Sequence, residues 1–361
     1  MRRISKSMGG SMFIGELSKG CQLCMRGGKL VLFVTGLCTN PIGCSWYCPI
    51  SFERKGRDVI YANERLVRSD KDIINEAALS GAEGTGITGG EPLLVLDRTI
   101  HYIELLKDNF GEAHHIHLYT GKRRINKKSI EKLARVGLDE IRFHISTEKE
   151  SEVLASVGDS LSVGVEIPAI PGNLEPLKRL IKSFEKYRVD FLNINELEFT
   201  ETNADELKKR GYRLKRNTVA AVEGSESTAK KLLEWAVDNT ELNIHYCPLS
   251  LKDEVQLKNR LLRRAKNIAK PYEQITRGGL LLKGVITFED AGRVNQLYSI
   301  FRKYKVSEEL IYFNPRKLRV ETSVRIAKRI AREAKKKGFK VGILEEYPTD
   351  EPRLETEYTP L

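Results

Sequence analysis

The chain predicts an α/β fold: an open, partial (β/α)6 barrel with an N-terminal extension and a small C-terminal α/β domain. Six strand-like runs lie near residues 31, 86, 117, 142, 164 and 193, with helical patterns between them. Apolar runs such as LVLFVT (residues 30–35) are continuous rather than alternating, the mark of strands buried on both faces. Regular βα alternation implies a parallel sheet with right-handed crossovers, whose strand ends collect a site on one face. At 361 residues the chain is long enough for one large core and a smaller one.

In chain order, residues 1–29 are Gly-rich and carry a C-x-x-C pair, which reads as an extension wrapping the core. Residues 30–200 are the expected barrel. Its first strand runs into a cysteine-bearing loop, and a helical pattern starts near Ser69 or Asp70, either of which can cap it. TGIT then leads into GGEP, and strands at 115–120, 140–146, 161–167 and 190–197 alternate with helices at 94–110, 127–136 and 175–187. Residues 201–275 read as a helical extension around one strand, LNIHYC, which carries Cys247. Residues 276–361 alternate again and form the small α/β domain, ending in a Pro- and acid-rich extended tail.

Lys and Arg number 61 against 49 Asp and Glu, a net charge of +12. This suits a polyanionic partner such as RNA, but abundant Lys with Glu equally suits a surface laced with ion pairs. Basic clusters occur at 252–270 and 322–337, and no aromatic RNP run, GxxG clamp or zinc knuckle accompanies them. No apolar run approaches the ~20 residues that span a bilayer. The apolar stretch at 12–14 is too short for a signal peptide. The expectation is a cytoplasmic protein with no membrane association, in a reducing compartment where six cysteines serve metal or redox chemistry rather than disulfides.

Cys38, Cys44 and Cys48 cluster in GLCTNPIGCSWYCP, after the first strand. Thiolates are the soft ligands that iron–sulfur clusters require, and three of them leave the fourth iron of a 4Fe–4S cluster open. A zinc site would need a fourth ligand. Gly89, Gly90, Glu91 and Pro92 form a GGEP turn after the second strand, with Glu91 43 residues beyond Cys48. Glycines allow close backbone approach to a ligand, and a carboxylate can offset an ammonium or orient donors.

This pairing of a three-cysteine loop with a GGEP turn at successive strand ends resembles the radical S-adenosylmethionine (SAM) superfamily, over residues 30–200. The arrangement as a whole is similar to an archaeal-like group distantly related to pyruvate formate-lyase activating enzymes. The family spacing is C-x3-C-x2-C and this chain has C-x5-C-x3-C, with the aromatic Tyr47 kept before the last cysteine. The resemblance implies a metal-binding oxidoreductase whose three-Cys 4Fe–4S cluster and SAM yield a 5′-deoxyadenosyl radical. It implies cofactor contacts from the GGEP turn to the methionine amino group, from Thr120 and Ser146 to ribose or carboxylate, and from Glu166 to ribose hydroxyls. It also implies an electron donor such as ferredoxin or flavodoxin.

Asn193, Asn195 and Glu196 make an unusually polar strand that either lines a pocket or faces outward. Cys21, Cys24 and Cys247 form a second set of three. They are read as a second 4Fe–4S cluster, as zinc with His245 as fourth ligand, or as packing cysteines. The leading functional expectation is a radical SAM enzyme modifying a macromolecule such as tRNA. The alternatives are an activase that forms a glycyl radical on a protein, a small-molecule radical enzyme, and a metal-stabilised RNA-binding protein without catalysis.

Overall fold

The computed structural model describes residues 2–38, 43–349 and 352–361. The strands, in chain order, are β1 Ser5–Lys6, β2 Met12–Ile14, β3 Lys29–Phe33, β4 Tyr61–Ala62, β5 Arg65–Leu66, β6 Gly84–Thr88, β7 His115–Thr120, β8 Glu140–Phe143, β9 Ser162–Ala169, β10 Phe191–Glu196, β11 Asn243–Cys247, β12 Gln274–Ile275, β13 Leu281–Thr287, β14 Ile311–Asn314, β15 Arg319–Thr322, β16 Lys340–Glu346 and β17 Glu355–Pro360. The helices are α1 Lys19–Met25, α2 Asp70–Leu79, α3 Leu96–Phe110, α4 Lys127–Arg135, α5 Leu174–Phe184, α6 Ala204–Lys209, α7 Ser225–Asn239, α8 Leu249–Leu251, α9 Lys258–Ile268, α10 Val294–Lys303 and α11 Val324–Lys336.

The chain divides into two compact units. One comprises residues 1–78 and 82–257, the other residues 79–81 and 258–361. In the larger unit the six expected strands are all present and parallel, in the order β10-β9-β8-β7-β6-β3, and form the partial barrel. A seventh parallel strand, β11, joins beside β10 with Asn193 opposite His245 and Asn195 opposite Cys247. The strand expected at LNIHYC within the helical extension is β11, and it extends the barrel sheet; α7 ahead of it acts as its crossover helix. The N-terminal segment likewise enters the sheet, since β2 pairs antiparallel with β11. These two edges met because Met12, Ile14, Ile244 and Tyr246 bury their side chains in the core together.

Helices α3, α4, α5 and α7 coat the outer face of the sheet. Along α3 the residues Tyr102, Ile103 and Leu106 are buried at helical spacing, each burial contributing about 1.5–3 kcal/mol. Outward-facing strand residues such as Ile116, Leu118, Ile141 and Val163 pack beneath these helices. Their neighbours face the barrel interior, which is polar: His115, His117 and Tyr119 on β7, and Glu140 and Arg142 on β8. The floor is closed by α1, whose Ser18 cap accepts from Cys21 N and from Arg142 Nη2. Glycine at position 20 lets α1 pack close: a Cβ there would stand 2.5 Å from Arg142 Nη2.

In the smaller unit β14-β15-β13-β16-β17 form an antiparallel sheet covered by α10 and α11. The tail expected to be merely extended is strand β17, paired with β16. Glycine at 342 makes room for the Tyr358 ring, which a Cβ would approach to 2.3 Å. Within this unit Lys283 is buried among Glu273, Glu321 and Glu346, with contacts of 3.3, 2.7 and 2.8 Å. Among the described residues no helix is long and apolar enough to cross a membrane.

Candidate functional site

The strand C-terminal ends surround a cavity of about 430 Å³ within the larger unit. Its wall contains Cys38, Cys44, Tyr47, Cys48, Gly89, Gly90, Thr120 and Glu166, so most of the sequence-derived candidates converge there. Asn195 and Glu196 of the polar strand share the wall, and so do Lys29, Arg142, His144 and Lys252, which the sequence did not single out as site residues.

On one side lie the three cysteines, all free. Burial first, then the negative charge of Cys48, raises the pKa of Cys38, and burial with Cys48 and Cys38 pushes Cys44 up to about 12. Three soft sulfur donors on one loop, each opposing the ionisation of the others unless a cation compensates them, fit the donor set of an iron–sulfur cluster. The GGEP turn packs against this loop. Gly90 N donates to Thr35 O at 2.7 Å and Glu91 N to Leu37 O at 2.7 Å. A Cβ at Gly90 would fall 2.1 Å from Leu37 O and 2.8 Å from Cys38 Sγ, so the second glycine is what lets the two loops meet.

Glu91 itself is fully buried and lies behind the wall. Its carboxylate accepts from Thr120 Oγ1 (2.8 Å), Leu93 N (3.0 Å) and Gly121 N (2.8 Å), bracing the ends of β6 and β7. Burial raises its pKa despite these donors. Pro92 is buried beside it, and neither residue reaches the cavity. Ser146 is also outside the wall: its hydroxyl donates to Glu150 at 3.0 Å, because the chain turns away after β8.

Opposite the cysteines the wall is a charged network. Glu166 Oε2 accepts from Arg142 Nη1 at 2.9 Å and Asn193 Nδ2 at 3.0 Å, and Oε1 from Asn195 Nδ2 at 2.9 Å. Burial alone would raise its pKa; the Arg142 guanidinium and the two amides outweigh it and hold the group at about 2. The polar strand β10 therefore faces inward. His144 Nδ1 lies 3.0 Å from the Glu166 carbonyl and must donate to it, so Nε2 accepts from the Tyr47 hydroxyl at 2.6 Å. Burial lowers the His144 pKa, keeping the ring neutral. Tyr47 thus ties the cysteine loop to β8 and β9.

Cys21, Cys24 and Cys247 are not in the cavity wall. Cys21 Sγ accepts from Asn193 Nδ2 at 3.1 Å. Burial raises its pKa, but Arg142 and His245 outweigh this and bring it to about 6. His245 is engaged at both nitrogens, by Ser11 Oγ at 2.9 Å and Asn193 Oδ1 at 3.3 Å. Tetrahedral zinc–thiolate bonds of ≈ 2.3 Å hold sulfurs about 4 Å apart. Among the described residues these four side chains do not supply three ligand atoms within 4.8 Å of one another. In the structure as it stands both His245 ring nitrogens face Ser11 and Asn193 rather than a thiol.

Three thiols and a Gly-Gly turn at adjacent strand ends of a parallel partial barrel, facing a polar cavity, define the site of a radical SAM enzyme. Residues 41–162 match the radical SAM superfamily, and residues 279–361 match a domain of unknown function (DUF8061). The chain is 40% identical to a protein of Methanocaldococcus jannaschii over 96% of this chain and 93% of that one; that protein carries the provisional name glycyl-radical enzyme activating enzyme. The chain belongs to the radical SAM superfamily. Among solved structures it resembles a radical S-adenosylmethionine methyltransferase from Kitasatospora setae (13% identity, 72% of this chain and 56% of that chain, TM-score 0.36). It also resembles coproporphyrinogen III oxidase from Escherichia coli, a radical SAM enzyme (12% identity, 63% of this chain and 57% of that chain, TM-score 0.37).

Proposed function

We propose that this radical SAM enzyme generates a radical on a protein substrate, as a glycyl-radical activase. Cys38, Cys44 and Cys48 would hold the 4Fe–4S cluster. Gly89 and Gly90 would give a bound SAM close access to the backbone, and Thr120, Glu166 and Asn195 would offer it polar contacts. The cluster with SAM supplies a 5′-deoxyadenosyl radical able to take a hydrogen atom. The protein's own contribution is to hold the cysteine loop through the Tyr47–His144 contact, to brace the GGEP turn through Glu91, and to keep Glu166 ionised beside Arg142. An external ferredoxin- or flavodoxin-type donor would provide the electron.

The observation that carries this reading is the 40% identity, over 96% of this chain and 93% of the other, to the Methanocaldococcus jannaschii protein provisionally named a glycyl-radical enzyme activating enzyme. The cavity at the strand ends, about 430 Å³, is of the ≈ 300–1,000 Å³ size usual for ligand pockets. No feature of the cavity favours RNA. In the smaller unit, Arg263 and Arg264 of the basic helix α9 bond to the carbonyls of Gly81 and Pro348, and Lys303 on α10 pairs with Glu333 of α11.

The test is anaerobic reconstitution with SAM and dithionite, in separate incubations with the soluble protein fraction of the source cells, total RNA and a small-molecule extract. The expected result is 5′-deoxyadenosine above background and a glycyl-type EPR doublet in the protein incubation, both lost in Cys44→Ala. Turnover in the RNA or small-molecule incubation alone would overturn the reading.

A further inference from the structure

The barrel floor holds a second set of ligand-type side chains. His115 and His117 lie two residues apart on β7 and so share its inward face. Glu140 is directly opposite His117 in the parallel β7–β8 register. Ligand atoms of the three lie within 4.8 Å of one another, all three side chains are buried, and among the described residues no other such group of His, Cys, Asp or Glu occurs.

Buried polar atoms almost always have partners, and three of the histidine nitrogens here do not. His117 is 0% exposed, and neither ring nitrogen has a hydrogen-bond partner. His115 Nε2 is also unpartnered, standing 3.6 Å from Glu140 Oε2. The ring is packed closely between two glycines: a Cβ at Gly20 would lie 2.8 Å from His117 Nδ1, and one at Gly86 2.7 Å from Nε2. An aliphatic layer is the ordinary filling at this depth of a β/α barrel.

Arg142 Nε occupies Oε1 of Glu140, leaving Oε2 toward the histidines. The positive charges of Arg142 and Lys29 are matched in the same interior by Glu140 and Glu166.

We propose that His115, His117 and Glu140 bind a divalent first-row transition metal, zinc(II) foremost, at the barrel floor, separate from the thiolate cluster. Two imidazoles and one carboxylate are a donor set that zinc accepts, with water completing four-coordination. Zn–N bonds of ≈ 2.0–2.1 Å set ligand atoms about 3.4 Å apart, so the three side chains close inward on binding. Such an ion would pin β7 to β8 beneath α1.

The test uses the full-length Cys38→Ser/Cys44→Ser/Cys48→Ser variant, which lacks the cluster ligands, expressed with added zinc or, separately, cobalt(II). The expected result is about one zinc per chain by elemental analysis. The cobalt form should show visible ligand-field bands without a thiolate charge-transfer band. His117→Gln should lower retained metal at least tenfold. Metal at trace level overturns the proposal, and a thiolate band assigns the ion to cysteines instead. If His117→Gln does not fold, the metal count and cobalt spectrum of the cluster-free protein decide alone.

Discussion

Glu166 offers a direct measure of how far the cavity wall is electrostatically built. In the folded chain its pKa falls from the ordinary 4.5 to about 2, through Arg142, Asn195 and Asn193. At about 1.4 kcal/mol per pH unit this is about 3 kcal/mol of stability. Because the folded pKa is depressed, the unfolded chain binds the proton first. The contribution is complete above pH 4.5 and is lost as pH falls toward 2. Glu166→Gln removes the charge and turns one acceptor into a donor facing other donors, leaving Arg142 without one of its two carboxylate partners. At pH 7 the variant should be less stable by about 3 kcal/mol, in line with breaking a buried pair. The gap should narrow steadily between pH 4.5 and 2.5. Urea unfolding followed by tryptophan fluorescence is the assay, since Trp46 and Trp235 are the chain's two tryptophans and both belong to the larger unit. A gap that is the same at pH 7 and pH 3, or absent at pH 7, would refute the reasoning.

Other outcomes follow from named contacts. Gly90→Ala should push Leu37 and Cys38 away and cut iron bound per chain by at least half after reconstitution, while changing stability less than Glu166→Gln; iron and sulfide assays check it. Tyr47→Phe should cost about 1 kcal/mol in circular-dichroism unfolding, since His144 Nε2 loses its donor. Lys283→Met should destabilise the smaller unit by about 3–5 kcal/mol, because three buried carboxylates lose their shared cation; hydrogen exchange of β13 and β16 would report it.

The parallel barrel was legible because long apolar runs alternate with amphipathic helices, a pattern set by local spacing. The cysteine loop and GGEP turn were legible because their residue types are rare and their placement after strands fixes the face they occupy. Strand β11 was harder to place. LNIHYC sits among helical patterns, and only burial of Ile244 and Tyr246 against β2 and α7 assigns it to the sheet. Arg142 and His144 did leave a signal. In EIRFHIS, Glu140, Arg142 and His144 alternate with Ile141, Phe143 and Ile145, and HIHLYT repeats the pattern. Alternation in a strand covered by helices on its outer face means a polar interior, an inference drawn only for residues 193–196.

The sequence by itself determined the class of chemistry: three thiolates and a Gly-Gly turn are chemical identities that hold wherever the chain places them. The tertiary structure alone decided which polar groups face the cavity and which act from behind it. Glu91 became a buried brace, Ser146 turned outward, and Lys29, Arg142, His144 and Asn195 entered the wall. The physical reason is that a side chain's partners and its exposure to water depend on neighbouring strands tens of residues away, and those pairings are set by packing rather than by local pattern.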